Sequence, residues 1–234
     1  SFDYSSQEPR LLVHYCGVVN KDNPVVSNII DQYKNDDVDF HQMVADMANI
    51  SRKEAKTVNL GIMYGMGKQK LANTLDIKLE DANQLLDTYH RKVPFVKQLA
   101  DQVMARAQKL GRVRTVLGRM CRFDMWEPRT FGYNQPMKFE DAEKHYGPGI
   151  RRAFTYKALN RLIQGSAADQ TKKAMVDCHS EGLIPLLTVH DELCFSISSQ
   201  KQADKITEIM EQCLPLNIPS KVDQELGKDW GEVG

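Results

Sequence analysis

The chain has 234 residues, of which 41% are hydrophobic and 26% charged, and its 31 Lys and Arg balance 31 Asp and Glu. That length holds one large or two small domains with enough apolar content for a core. No apolar run approaches a membrane span and no secretory or transit segment opens the sequence, so a soluble, cytoplasmic protein is expected. The cysteines Cys16, Cys121, Cys178, Cys194 and Cys213 are odd in number and widely separated, which argues against a disulfide framework or a zinc knuckle and suits a reducing compartment.

The first stretch, Phe2-Asp3-Tyr4-Ser5, reads as the end of a strand, followed from Glu8 to His14 by a helix that would hold the Asp3 carboxylate at the strand terminus. A strand cannot form a sheet alone, so a chain that begins with Ser1 beside it is expected to be a fragment. His14 is expected to pack in the interior. After a loop with Asn20, Asp22, Asn23 and Pro24, short helices are expected from about Val25 to Tyr33 and from about Phe40 to Ala48. Ser51 and Glu54 then form a capping box that opens a longer helix. At about 100° per residue, Arg52, Lys56, Asn59, Leu60 and Met63 share one side of it, cationic first and apolar later, which suits a triphosphate followed by a base. Gly61, Gly65 and Gly67 interrupt the end of this helix, and a bend or a close approach is expected at Gly61 and Gly65.

Amphipathic helices follow from Leu79 to His90 and from Phe95 to Leu110, with Gly111 stopping the second. The segment from Arg91 to Arg122 is rich in lysine and arginine, and Arg151, Arg152, Lys157 and Arg161 form a second basic group; separated stripes of this kind fit a phosphate-binding groove or simply solvated helix faces. Phe123 to Ile150 has no clear period, and its aromatics Trp126, Phe131, Tyr133 and Tyr146 suit either a functional insertion that stacks on single-stranded nucleic acid or a small packed flap. A long helix is expected from about Arg152 to Glu181, with Leu159, Ile163, Ala167, Ala174 and Cys178 as its buried stripe and Asn160 and Gln164 on a different face. Leu186 to Phe195 has the pattern of a hairpin with His190, Asp191 and Glu192 at its exposed tip. Adjacent carboxylates on a turn are either a solvated acidic loop or one side of a divalent-metal site. A helix from Lys201 to Leu214 and a strand from Ser220 to Leu226 close the chain.

Three stretches, in this order, resemble motifs A, B and C of family A DNA polymerases. Asp3-Tyr4-Ser5-Ser6-Gln7-Glu8-Pro9-Arg10 is similar to motif A, Arg52-x-x-x-Lys56-x-x-x-Leu60-x-x-x-Tyr64-Gly65 to the fingers helix of motif B, and Val189-His190-Asp191-Glu192 to motif C. Asn160-x-x-x-Gln164-Gly165-Ser166-Ala167-Ala168-Asp169 resembles the family's long palm helix, and Asp39-Phe40-His41 its D-x-H.

The resemblance implies an α+β fold, with a partial antiparallel palm sheet and a mostly helical fingers subdomain. The palm would take 1–24 and 152–234, the fingers 25–118 and a connecting insertion 119–151. It implies a template-directed polymerase that extends a primed DNA template with deoxynucleoside triphosphates in DNA replication. Asp3 and Asp191 would hold two Mg²⁺ ions, Glu192 would assist from behind them, and His190 would steady the primer end. Arg52, Lys56 and His41 would grip the triphosphate, Lys56 also offering a proton to the pyrophosphate, while Leu60 and Tyr64 would meet the nucleotide and the templating base. Glu8 would close the space of a 2′-hydroxyl. Arg119, Asn160 and Gln164 would contact DNA, the two amides in the minor groove. The thumb, the rest of the palm and any exonuclease would lie upstream, so the isolated fragment is expected to be inactive. Leu60, where the family usually has an aromatic ring, points to a phage source, and Tyr156 and Thr188 depart from the family's usual arginine and glutamine. A single-subunit RNA polymerase shares the two aspartates and the Lys-Tyr-Gly helix, and a nucleic-acid-binding module without catalysis is the non-enzyme alternative.

Overall fold

The computed structural model describes residues 1–35, 38–64, 66–130 and 134–233. In chain order the elements are β1 (Phe2–Tyr4), α1 (Gln7–Val19), α2 (Pro24–Asn35), α3 (Phe40–Ala48), α4 (Arg52–Met63), α5 (Lys68–Leu75), α6 (Leu79–Lys92), α7 (Pro94–Leu110), β2 (Arg112–Arg114), β3 (Met120–Arg122), β4 (Trp126–Pro128), α8 (Phe139–Tyr146), β5 (Ile150–Arg152), α9 (Ala158–Ser180), β6 (Pro185–Val189), β7 (Glu192–Phe195), α10 (Gln200–Gln212) and β8 (Val222–Gln224). They are helices with small antiparallel sheets, an α+β fold, in two compact units: 1–38 with 166–234, and 39–165. Thus α2 counts with the first unit, where it packs on α1, and the stretch 119–151 with the second. Gly65, Phe131 and Tyr133 lie outside the described residues. None of the five cysteines forms a disulfide, and among the described residues no helix is long and apolar enough to cross a membrane.

In the first unit a four-stranded antiparallel sheet has the order β6-β7-β1-β8. Side chains alternate across a strand, and here the alternation is strict: Phe2 and Tyr4 are buried while Asp3 between them is exposed. Phe2 pairs with Leu193 and Tyr4 with Val222, so all four point to one face, where they meet Ala174 and Cys178 of α9 and Ala203, Ile206 and Met210 of α10. Each large apolar side chain so buried contributes about 1.5–3 kcal/mol. The Tyr4 hydroxyl reaches through this core to donate to the Met210 carbonyl at 2.7 Å. Helix α1 is fixed by polar bonds as well as packing: the buried Arg10 donates to the Ser5 and Pro219 carbonyls at 2.9 and 3.0 Å. His14 is buried as expected, its Nδ1 accepting the Asn217 N–H at 3.0 Å.

In the second unit Asp39 caps α3, accepting the His41 and Gln42 N–H groups, and the Ser51–Glu54 capping box opens α4 as the sequence requires. Gly111, at φ 68°, ends α7, and its bare Cα also admits Arg152, since an added Cβ would lie 2.7 Å from the guanidinium carbon.

Several expectations need correction. Helix α4 runs unbroken through Gly61 to Met63, and an added Cβ at Gly61 would make only ordinary contact with Met66, so no close approach requires the glycine there. The long helix begins at Ala158, because Ile150–Arg152 pairs with Trp126–Pro128 as a strand and a short 3-10 turn intervenes. The aperiodic stretch from Phe123 is this strand pair closed by α8, with Trp126 edge-on to Phe139 at 5.0 Å and under the Arg152 guanidinium at 4.5 Å.

Candidate active site

The register of the sheet decides where the acidic groups of the first unit go. Asp3 lies opposite Glu192 on β7 and opposite Asp223 on β8, which places three carboxylates in one row on the face away from the core. The β6–β7 turn adds Asp191 beside them. Its first residue, His190, has φ 56°, the left-handed conformation that a two-residue hairpin turn needs and that non-glycine residues seldom take. Directly opposed like charges in a sheet are destabilising. The Asp3 carboxyl is accordingly pushed up to about 6, first by burial and then by the charges of Asp191, Glu192 and Asp223.

Glu192 is not at the hairpin tip. It opens β7, paired across from Val189 and Asp3, because only His190 and Asp191 form the turn. The Ser1 hydroxyl and the Cys194 thiol, the latter at 3.1 Å, donate to its Oε1 and hold it below the usual carboxylate range. Glu8 sits in the first turn of α1, half-buried. Asp223 was not among the candidates read from sequence; only the pairing of β8 with β1, which brings the acidic C-terminal stretch to the sheet, puts it there.

Among the described residues no three His, Cys, Asp or Glu side chains are placed to hold a metal ion by themselves. Magnesium is normally bound through one or two carboxylates with water and substrate phosphates completing its shell. An Asp3–Asp191 pair whose members repel each other suits that chemistry.

In the second unit the helix-wheel face of α4 divides. Arg52 and Lys56 are exposed, Leu60 is half-buried, and Tyr64 follows at the helix end with 39% exposure, so these four at spacings of four residues form the open stripe. Asn59 and Met63 do not join it: both are buried, Asn59 between His41 and Tyr89. Arg52 donates from Nε to Asp39 at 2.7 Å. Burial alone would raise the Asp39 carboxyl, but Arg52 and the backbone N–H groups of Gln42 and His41 hold it below the usual range. The other guanidinium donors of Arg52 are not used by this ion pair.

The basic stretch forms a hairpin. Val113, paired with Cys121, is buried on one side, while Arg112, Arg114 and Arg122 are exposed on the other, with Arg112 directly opposite Arg122. Arg119 follows its turn and donates to the Gly165 carbonyl at 2.7 Å. Gly165 admits the close packing of Thr115, since an added Cβ would lie 2.7 Å from Thr115 Cγ2. Gln164, exposed, immediately precedes Gly165 on α9, and Asn160, half-buried, lies one turn before Gln164.

The chain is similar to known proteins over nearly its whole length. A DNA-directed DNA polymerase of Pseudomonas phage M6 is 40% identical over 272 residues, covering 99% of this chain and 38% of the phage protein. DNA polymerase I of Geobacillus stearothermophilus is 32% identical over 97% of this chain and 25% of its own length. The polymerase domain of Pol1 from M. smegmatis, solved in complex with a DNA primer-template and dNTP, superposes with a TM-score of 0.71 at 28% identity, over 95% of this chain and 38% of that one. The chain therefore spans well under half the length of these relatives. Residues 1–232 match the model of DNA polymerase family A, and the chain belongs to that family.

Proposed function

We propose that this chain is the catalytic part of a DNA polymerase, adding deoxynucleotides to a primer 3′-end by two-metal nucleotidyl transfer. The observation that carries it is the row Asp3–Glu192–Asp223 with Asp191 in the adjoining turn, carboxylates gathered on the open face of a sheet whose other face is core. Crowded carboxylates repel one another, and a bound cation would relieve that repulsion. Magnesium, when bound, would supply charge neutralisation for the attacking and leaving oxygens. Asp3 and Asp191 would hold it, and Glu192, tied to Ser1 and Cys194, would keep the turn at its register. Arg52, Lys56 and His41 would grip the triphosphate, and the Lys56 ammonium could give a proton to the departing pyrophosphate, which together with positioning is most of what phosphoryl transfer asks of a protein. His190 would meet the primer end. Glu8 would exclude a 2′-hydroxyl, and Leu60 and Tyr64 would flank the new base pair.

The basic hairpin and the amides of α9 would contact primed DNA. The opposed pair Arg112 and Arg122 repel each other unless an anion lies between them. Asn160 and Gln164 would test pairing through minor-groove acceptors that are nearly alike on every base pair. The chain covers 25–38% of these relatives' length, and we propose that an upstream region completes the palm and supplies the thumb. Primer extension by the chain together with that region tests the proposal: incorporation of deoxynucleotides in Mg²⁺ is expected. A preference for ribonucleotides, or no extension at all, would contradict it.

A further inference from the structure

The buried amide of Asn59 and the phenol of Tyr89 belong to neither the core packing nor the exposed stripe of α4. Asn59 is wholly buried in the middle of a helix, where an unsatisfied amide would cost about 1–3 kcal/mol. Its two ends are both engaged. The Tyr89 hydroxyl, itself buried, donates to Oδ1 at 2.5 Å, and Nδ2 faces His41 Nδ1 at 3.0 Å.

The partners fix the direction of the chain of bonds. The Tyr89 phenol donates to the Asn59 carboxamide oxygen, which can only accept. The atom of Asn59 that faces His41 is the NH₂ group, a donor only. His41 Nδ1 must accept, so the ring proton sits on Nε2. No other residue of the described chain bonds to Nε2.

We infer that Asn59 and Tyr89 are positioning residues that hold His41 in its Nε2–H tautomer, so that the imidazole presents one fixed donor to the triphosphate beside Arg52 and Lys56. This rests on the proposed polymerase function. A neutral donor suits the place: His41 is held neutral at pH 7 by burial, the Asp39 carboxylate opposing and the Lys56 and Arg52 charges adding to the effect. Nδ1 is unavailable to receive a proton while it accepts from Asn59, which keeps the ring from acting as an unfixed cation.

The test is ¹⁵N NMR of the histidine-labelled chain, with His41 identified by loss of its signals in His41→Gln. A protonated Nε2 and a bare Nδ1 are expected at pH 7, with the Nε2 signal moving on addition of inorganic tripolyphosphate and Mg²⁺. Asn59→Asp, which offers Nδ1 an acceptor instead of a donor, should invert the tautomer and weaken tripolyphosphate binding about tenfold, the value of one hydrogen bond. Tyr89→Phe, which keeps the ring volume, should give a mixture of tautomers. A wild-type Nδ1–H tautomer, an imidazolium at pH 7, or an unaltered tautomer in Asn59→Asp would overturn the inference. So would a correct tautomer whose signal ignores tripolyphosphate while Arg52→Ala and Lys56→Ala still weaken binding, an outcome that leaves the polymerase proposal standing. Failure of the wild type to bind tripolyphosphate at millimolar concentration would overturn both.

Discussion

Replacing Asp3 by Asn should stabilise the isolated chain above pH 7. The Asp3 carboxyl rises from 3.8 to about 6, through burial and the charges of Asp191, Glu192 and Asp223. Unscreened, a rise of that size would correspond to about 3 kcal/mol. Asp3 is exposed to water, however, and exposed charges interact weakly, so about 1 kcal/mol is the appropriate figure. A carboxyl with a raised value in the fold favours the protonated form: its contribution is complete below about pH 4 and is lost as the pH rises through 6. Asn removes the penalty. At pH 8 in EDTA, thermal unfolding followed by circular dichroism should put Asp3→Asn about 2–4 °C above wild type, the shift that 1 kcal/mol produces in a chain of this size. At pH 4 the two should coincide. Millimolar Mg²⁺ at pH 8 should raise the wild type toward the variant and leave the variant unchanged. Equal melting at pH 8, or the same gain at pH 4, would refute the idea that the row of carboxylates repels itself.

Gly165→Ala should destabilise by about 1–3 kcal/mol in urea unfolding, since overpacking against Thr115 Cγ2 at 2.7 Å exceeds the gain in helix propensity; Thr115→Ser, which deletes that methyl, should restore stability. Ser51→Ala should cost about 1 kcal/mol by removing the cap of α4, measured in the same way. Arg112→Ala should weaken binding of primed DNA without regard to sequence and reduce the slope of log K against log salt by about 1, which a salt titration by anisotropy reads directly.

Much of this structure could be read from local chemistry. The Ser51–Glu54 box, the buried–exposed–buried alternation at Phe2, Asp3 and Tyr4, and Gly111 as a helix stop each depend on near neighbours, and each element lies where those neighbours put it. What escaped depended on distant partners. Asn59 and Met63 lie within about 40° of Arg52 on a helical wheel, yet they are buried, Asn59 where it bonds to His41 of α3 and Tyr89 of α6, partners distant in sequence. Asp223 became part of the acidic row only through the pairing of β8 with β1, a register no local pattern specifies. Helix α5 buries only Leu71 and Ala72, too little to announce itself, and the strands β4 and β5 are three residues each, too short for a period to be visible.

The central claim is that Asp3 and Asp191 act together on one reaction. Primer extension in Mg²⁺ by the chain joined to its upstream region, comparing wild type with Asp191→Asn and with the double variant Asp3→Asn/Asp191→Asn, tests it most directly. Loss of at least about a thousandfold in rate for the single variant, with primed-DNA binding kept and no further loss in the double variant, is the expected result for groups that work as a unit. Extension by Asp191→Asn at close to the wild-type rate would contradict it.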